Sequence, residues 1–218
     1  MVIEVPRTFD WVRRFDPKSL NYLVRDLNPD LPMRTHAWKR SLWLDQGREG
    51  ACTGFAISHN LGTTPRKMGG IDNPFAQHRY YRAREEDEWP GENYEGSSVL
   101  GACEAARKDG LIKSYYWCKS LQEILHALGY LGTVDMGCDW YTDMMHTDVN
   151  GYVHVTGGVA GGHSIQIGAV DMQKQAVRLD NSWGPDWGVK GSAWLSFKDL
   201  DLLRQNRGEF AVIRKFKP

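Results

Sequence analysis

The sequence has no excess charge of either sign: across 218 residues, 27 basic side chains are matched by 27 acidic ones. That balance argues against a strongly basic phosphate-binding protein and against an acidic solvating tail. No apolar run approaches the roughly 18 residues a membrane-crossing helix requires, so no membrane partner is expected. The first residues, Met1-Val2-Ile3-Glu4, show no basic stretch followed by an apolar one, so no secretory signal is expected either. Cysteine is scarce: four residues, at 52, 103, 118 and 138, with no C-x-x-C pair and no dense framework. The expectation is a reduced, cytoplasmic protein in which any reactive thiol must be picked out by its neighbours. Internal repeats, low-complexity stretches and flexible linkers are also missing.

What is present suffices for a core. Hydrophobic residues make up 41% and aromatics 11%, with nine tryptophans, which excludes wholesale disorder. The first forty residues are broken by Asp16-Pro17, Asn28-Pro29 and Leu31-Pro32 and read as an extended arm over the surface, with one helical turn around residues 18–25. Helices are expected over Ala51–Asn60, Phe75–Trp89 (ended by Pro90-Gly91), Ser98–Lys108 (capped by Ser97), Leu121–Leu128 (capped by Ser120) and Phe197–Leu203. Strands are expected over Leu131–Cys138, Ser164–Val170, Ala176–Asp180, Ser192–Phe197 and Phe210–Arg214, with a hairpin or strand start at Asn150-Gly151-Tyr152. A helical half followed by a sheet-rich half is an α+β chain in two lobes.

Three segments carry chemistry. In Gln46-Gly47-Arg48-Glu49-Gly50-Ala51-Cys52, glycines and small residues precede a cysteine that opens a helix. Unpaired backbone N–H groups and the positive end of the helix dipole favour the thiolate there. The Cys52 amide and the Gln46 side chain are placed to form an oxyanion hole. In Gly157-Gly158-Val159-Ala160-Gly161-Gly162-His163, an imidazole follows a glycine turn and begins an apolar strand. In Asp180-Asn181-Ser182-Trp183-Gly184, a strand delivers an Asn whose oxygen can fix the tautomer of an imidazole, under an indole that shields the bond from water. Each segment alone also reads as ordinary structure: a buried cysteine, a core histidine, a tryptophan-rich turn. Their joint occurrence, in the order Cys, His, Asn, is the specific signal.

From Leu42 to the C-terminus the sequence resembles the papain-like cysteine peptidases, most specifically in Gln46-Gly47, Cys52, Gly162-His163 and Asn181-Ser182-Trp183-Gly184 with Trp187-Gly188. The resemblance implies Cys52 as nucleophile, His163 as general base and acid, Asn181 as its orienting residue, Gln46 as the oxyanion-hole side chain and Trp183 as the covering indole. It implies a two-lobed fold, with residues 1–41 as an N-terminal arm, about 42–110 as a helical left lobe, about 111–218 as an antiparallel β-barrel-like right lobe, and the active site in the cleft. Gly50 and Gly162 flank the site, and Tyr94-Glu95-Gly96-Ser97-Ser98, with Gly96 at its centre, falls on the substrate rim. Three positions depart from the family pattern: Glu49 stands where a disulfide cysteine is usual, Thr53 where an aromatic follows the nucleophile, and Gly162 where an acid or Asn precedes the histidine. The sequence leaves no room for the roughly hundred-residue inhibitory propeptide common in secreted members, so control by other means, such as a partner or compartment, is expected.

The expected reaction is hydrolysis of a peptide or protein substrate through a thioester. The alternatives are an inactive peptide-binding protein of the same fold, and an amidase or endopeptidase acting on peptidoglycan stems. No cofactor is expected. Met144-Met145-His146 and His154 lack metal-ligand spacing, and the basic-aromatic run Arg79–Arg84 is cancelled by Glu85-Glu86-Asp87-Glu88, which argues against nucleic acid.

Overall fold

The structure is a computed structural model that describes residues 8–14, 16–17, 21–24, 31–40, 42–87 and 95–214. Three helices precede most of the sheet. The first, α1 (Cys52–Gly62), is buried along its whole length, which is why its sequence shows no polar stripe. The second, α2 (Asn73–Glu86), starts two residues earlier than its apolar pattern suggests, because Asp72 caps it by accepting from the Phe75 amide at 2.9 Å and Pro74 fits the first turn. It ends at Glu86 with Asp87 as its cap, short of the expected Trp89; residues 88–90, Tyr94 and half of the turn at 18–25 lie outside the described residues. The third, α3 (Val99–Lys108), is capped by Ser98 rather than Ser97; the Ser97 backbone is engaged instead with the N-terminal arm.

The strands are β1 (His36–Ala37), β2 (Ser114–Trp117), β3 (Val134–Tyr141), β4 (Val159–Asp171), β5 (Ala176–Asp180), β6 (Ser192–Ser196) and β7 (Glu209–Arg214). All pairs are antiparallel, in the order β2-β7-β3-β4-β5-β6, with β1 on the far end of β4. The class is α+β, as expected; the sheet is open where a barrel-like closure was expected. Helices α4 (Leu121–Tyr130) and α5 (Phe197–Gln205) begin at Ser120 and Ser196, each side-chain hydroxyl accepting from an amide of the first turn.

Two expectations fail for tertiary reasons. The glycine run before His163 is strand: β4 starts at Val159, and Gly161 and Gly162 pair with Trp140 and Asp139. Asn150-Gly151 makes a turn without a hairpin, Tyr152 forming a single bridge to Trp194. The short strands β1 and β2 carried no sequence signal that set them apart.

The alternation of β3 decides what each face of the sheet does. Val134, Met136, Cys138 and Trp140 join Ile165, Ile167, Phe210 and Val212 in one core under α4 and α5. The other face meets α1 and α3, where Ala211 and Ile213 pack with Cys52, Ile57, Leu61 and Val99. On that second face Gly137 sits opposite both Ser164 and Glu209. A missing side chain there leaves room beside the helices.

Candidate active site

His163 is the fifth residue of β4, and Asn181 follows the last residue of β5. Since β4 and β5 are paired, the two side chains meet: His163 Nε2 lies 2.9 Å from Asn181 Oδ1. Asn181 Oδ1 also accepts from the Ser182 amide at 2.8 Å. An oxygen at that position makes Nε2 the protonated nitrogen, so Nδ1 is the acceptor of the neutral ring. The pair is sealed by aromatics. Trp183 lies 4.9 Å from the imidazole at 35°, Trp140 meets it edge-on at 4.8 Å, and Phe9 at 5.8 Å.

Cys52 is the first residue of α1, with no acidic residue in the first turn. The backbone amides of Asp10, Ser164 and Thr53 face its sulfur and favour the thiolate, but complete burial dominates and the Asp10 carboxyl adds to it, so the pKa rises to about 11. Burial in this closed conformation thus works against the thiolate expected at the helix start. Cys103, Cys118 and Cys138 are free and buried, each held well above the ordinary thiol range by burial.

Gln46 ties the cysteine segment to the Asn181 loop. Its backbone N–H donates to Ser182 O at 2.9 Å, and its Oε1 accepts from Ser182 Oγ at 2.7 Å. That leaves Nε2 aimed the other way, 2.9 Å from Glu49 O and 3.5 Å from Thr8 O. Asp45 forms a bridge with Trp183 in the same seam.

The arm is on the surface over residues 31–40, as expected, but not at its start. Residues 8–14 run through the cleft, and Trp11 is 6% exposed. Phe9 packs on Gly161, where a Cβ would lie 2.5 Å from its own. The Asp10 carboxyl occupies the space a side chain at Gly50 would need, and Asp10 O stands 2.6 Å from a Cβ at Gly96, whose φ of 103° already favours glycine. Trp11 N donates to Gly162 O at 2.9 Å, Ser97 N to Asp10 O at 3.0 Å and Val12 N to Ser97 O at 2.9 Å. Trp11 so held makes a single parallel bridge to Ser97. With it in place, both Cys52 and His163 are 0% exposed.

Every sequence-predicted position thus gathers around one seam. Gln46 and Asn181 share Ser182; Gly50, Cys52 and Gly96 share Asp10; Gly162 holds Trp11; His163 and Trp183 share Phe9. What sequence reasoning missed is the arm itself, with Ser182 and Trp140. The Ser182 hydroxyl bears no signature of its own, and the arm's charged, proline-broken text reads as surface chain. Met144 lies in the core and His154 pairs with Asp148 at 3.0 Å.

No family model matches the chain. Among curated relatives, it is 39% identical over 62 residues to a cathepsin B-like cysteine proteinase of Schistosoma japonicum and 34% identical over 71 residues to cathepsin B-like CP3 of Giardia intestinalis. Those matches take in 28% and 31% of this chain and span 18% and 24% of the relatives' lengths. In structure it is similar to xylellain, a cysteine protease of Xylella fastidiosa, with a TM-score of 0.74 at 15% identity, all of both chains being covered. Bromelain of Ananas comosus in complex with the E64 inhibitor superposes with a TM-score of 0.62 at 14% identity, covering 85% of this chain and 100% of that one. The chain has the fold of the papain-like cysteine peptidases and shares local sequence with their cathepsin B-like members.

Proposed function

We propose that the chain is a thiol-dependent peptidase in which Cys52 is the nucleophile, His163 the general base and acid, Asn181 the residue that orients His163, and Gln46 an oxyanion-hole donor. The observation that carries this reading is the His163–Asn181 hydrogen bond under Trp183, on the strand that also supplies the Ser164 amide to the Cys52 sulfur. With Nε2 committed to Asn181, proton exchange with the thiol falls to Nδ1. The thiol proton passes to His163, and the thiolate adds to a peptide carbonyl. Gln46 Nε2 and the Cys52 amide take the oxyanion; the amine leaves with the proton from His163. Water, deprotonated by His163, then releases the acid from the thioester. Asn181 stays neutral throughout. The substrate is a peptide or protein, since the cleft already accommodates an extended strand through backbone hydrogen bonds.

The observed state is closed, and turnover requires residues 8–12 to leave. Their departure hydrates Cys52 and so lifts the burial that dominates its raised pKa; it also takes away both the Asp10 amide, which favours the thiolate, and the Asp10 carboxyl, which opposes it. A cleft that holds a strand without cutting it also suits a peptide-binding protein, and one experiment separates the two. Phe9→Ala/Trp11→Ala opens the cleft, and its turnover of casein and a peptide library is compared with the same variant carrying Cys52→Ala. The expected loss is at least 10³-fold. Turnover that survives Cys52→Ala overturns the nucleophile, and binding without turnover in the open variant favours the binding protein.

A further inference from the structure

We propose that Glu49 is a positioning residue for catalysis: its carboxylate fastens the cysteine loop to α2, and its carbonyl holds the Gln46 amide where the oxyanion forms. The proposal rests on the peptidase reading above and adds to it the support of the oxyanion donor.

A side-chain amide carries two N–H groups on one rotatable head, and it serves as an oxyanion donor when that head is held still. Gln46 is held from two directions. On one side, Ser182 Oγ donates to its Oε1 at 2.7 Å, and its backbone N–H donates to Ser182 O at 2.9 Å, which fastens it to the chain leaving β5. On the other, Nε2 donates to Glu49 O at 2.9 Å. The remaining N–H faces the arm, 3.5 Å from Thr8 O. It is this N–H that the arm gives up when it departs. Ser182 Oγ and Glu49 O together set the plane of the amide, so the position of Glu49 O decides where that N–H points.

Glu49 lies in a turn with Gly47, at a φ of 62°, on one side and Gly50 on the other. The turn is closed by a long backbone bond, Glu49 N–H to Gln46 O at 3.3 Å. A turn held so loosely needs an outside fixture, and the Glu49 side chain supplies it. Tyr81 O–H donates to Oε1 at 2.7 Å, and the Gln77 side-chain amide donates to Oε2. Gln77 and Tyr81 stand four residues apart on α2, so one face of that helix takes both oxygens. The bond to the carboxylate raises the Tyr81 pKa, which keeps the phenol a donor. Helix α2 is in turn locked to the helix that carries Cys52. A Cβ at Gly54, two residues after Cys52, would stand 2.3 Å from Tyr80 N and 2.5 Å from Ala76 O. The contacts therefore run from the nucleophile's helix through α2 and Glu49 to Gln46 Nε2.

The opened variant, Phe9→Ala/Trp11→Ala, carries the kinetic test. Adding Glu49→Ala is expected to lower kcat about tenfold, a part of what a lost oxyanion donor costs, and to leave KM within about twofold. Glu49→Gln still accepts from Tyr81 and meets Gln77 once that amide turns over, so it is expected to restore kcat to within about twofold of the parent. Tyr81→Phe removes one of the two bonds at an exposed position, and about a threefold loss in kcat is expected with the fold intact. In a Gln46→Ala background, Glu49→Ala is expected to change kcat by less than about twofold, because a residue acting through Gln46 has nothing left to act on. A loss that resides in KM, persists in full without Gln46, or is not recovered by Glu49→Gln overturns the proposal. Independently of turnover, the closed wild-type chain reports on Gln46 by NMR. Its side-chain NH₂ signal, identified by its disappearance in Gln46→Ala, is expected to lose order in Glu49→Ala and to regain it in Glu49→Gln. An unchanged signal overturns the proposal. If the opened variant turns over no peptide, the peptidase reading fails, while the NMR comparison still decides whether Glu49 fixes Gln46.

Discussion

At the residue scale, the side chains legible in the sequence were those whose chemistry tolerates no substitute. The proposed reaction needs a thiol, an imidazole and an amide, and their fixed order leaves few choices, so Cys52, His163 and Asn181 could be nominated before any geometry. The protonation of Cys52 could not be read that way, because it depends on Asp10 and on burial by chain more than forty residues distant. Nor could Trp11: what it fits is a hole made by an absent side chain at Gly137 opposite Glu209, from strands far apart in sequence. Asn181 offers the sharpest test at this scale. In the opened variant, Asn181→Ala is expected to reduce kcat/KM on the order of 10²-fold, because His163 loses the acceptor that fixes its tautomer. It also leaves the buried Ser182 amide without its acceptor, at a cost of about 1–2 kcal/mol read from urea unfolding. Unchanged kcat/KM would remove Asn181 from the mechanism.

At the scale of elements, caps and turns were legible and tertiary docking was not. Asp180 ends β5 and Ser120 starts α4 where the sequence indicates. The start of β4 was hidden because glycines that look like a turn are strand residues held flat by Phe9 and Trp11 above them. Ser98 was misread in favour of Ser97 for a related reason, and both hydroxyls converge on Asp87. Asp87 sits after the last turn of α2 and accepts from Ser97 Oγ at 2.7 Å, Ser98 N at 3.0 Å and Ser98 Oγ at 2.7 Å, while Arg14 of the arm donates to it at 3.2 Å. This carboxylate, with its side chain fully buried, joins α2, the start of α3 and the arm. Asp87→Ala is expected to destabilise the protein by about 3 kcal/mol in denaturant unfolding. A loss below about 1 kcal/mol would mean that the junction contributes nothing beyond a surface contact.

At the scale of the whole molecule, buried titratable groups set the pH response. His59 is lowered to about 4 by burial, whereas Glu209 and Asp135 are raised to about 7 and about 8 by burial. A buried neutral histidine loses stability as pH falls below about 6.5, and the protonated carboxyls lose it as pH rises above their unfolded values near 4. The two trends oppose each other up to about pH 6.5; above it only the carboxyls act. Stability is therefore expected to fall from pH 6.5 to 8, by up to about 1.4 kcal/mol per pH unit for each proton the folded state retains and the unfolded state does not. Differential scanning calorimetry of the chain and of Glu209→Gln checks it; a melting temperature that rises over that interval refutes the assignment. The strand in the cleft has a further consequence, because it is the same chain as the site it fills. A tethered occupant competes at an effective concentration of roughly millimolar, set by the connecting segment and not by how much protein is present. If the open form is about 1% of molecules, a peptide with an intrinsic Kd of about 1 µM binds with an apparent value near 100 µM. Dilution leaves that ratio untouched, so specific activity per molecule should stay flat as the protein is diluted. Closure by a second copy in trans would instead be relieved.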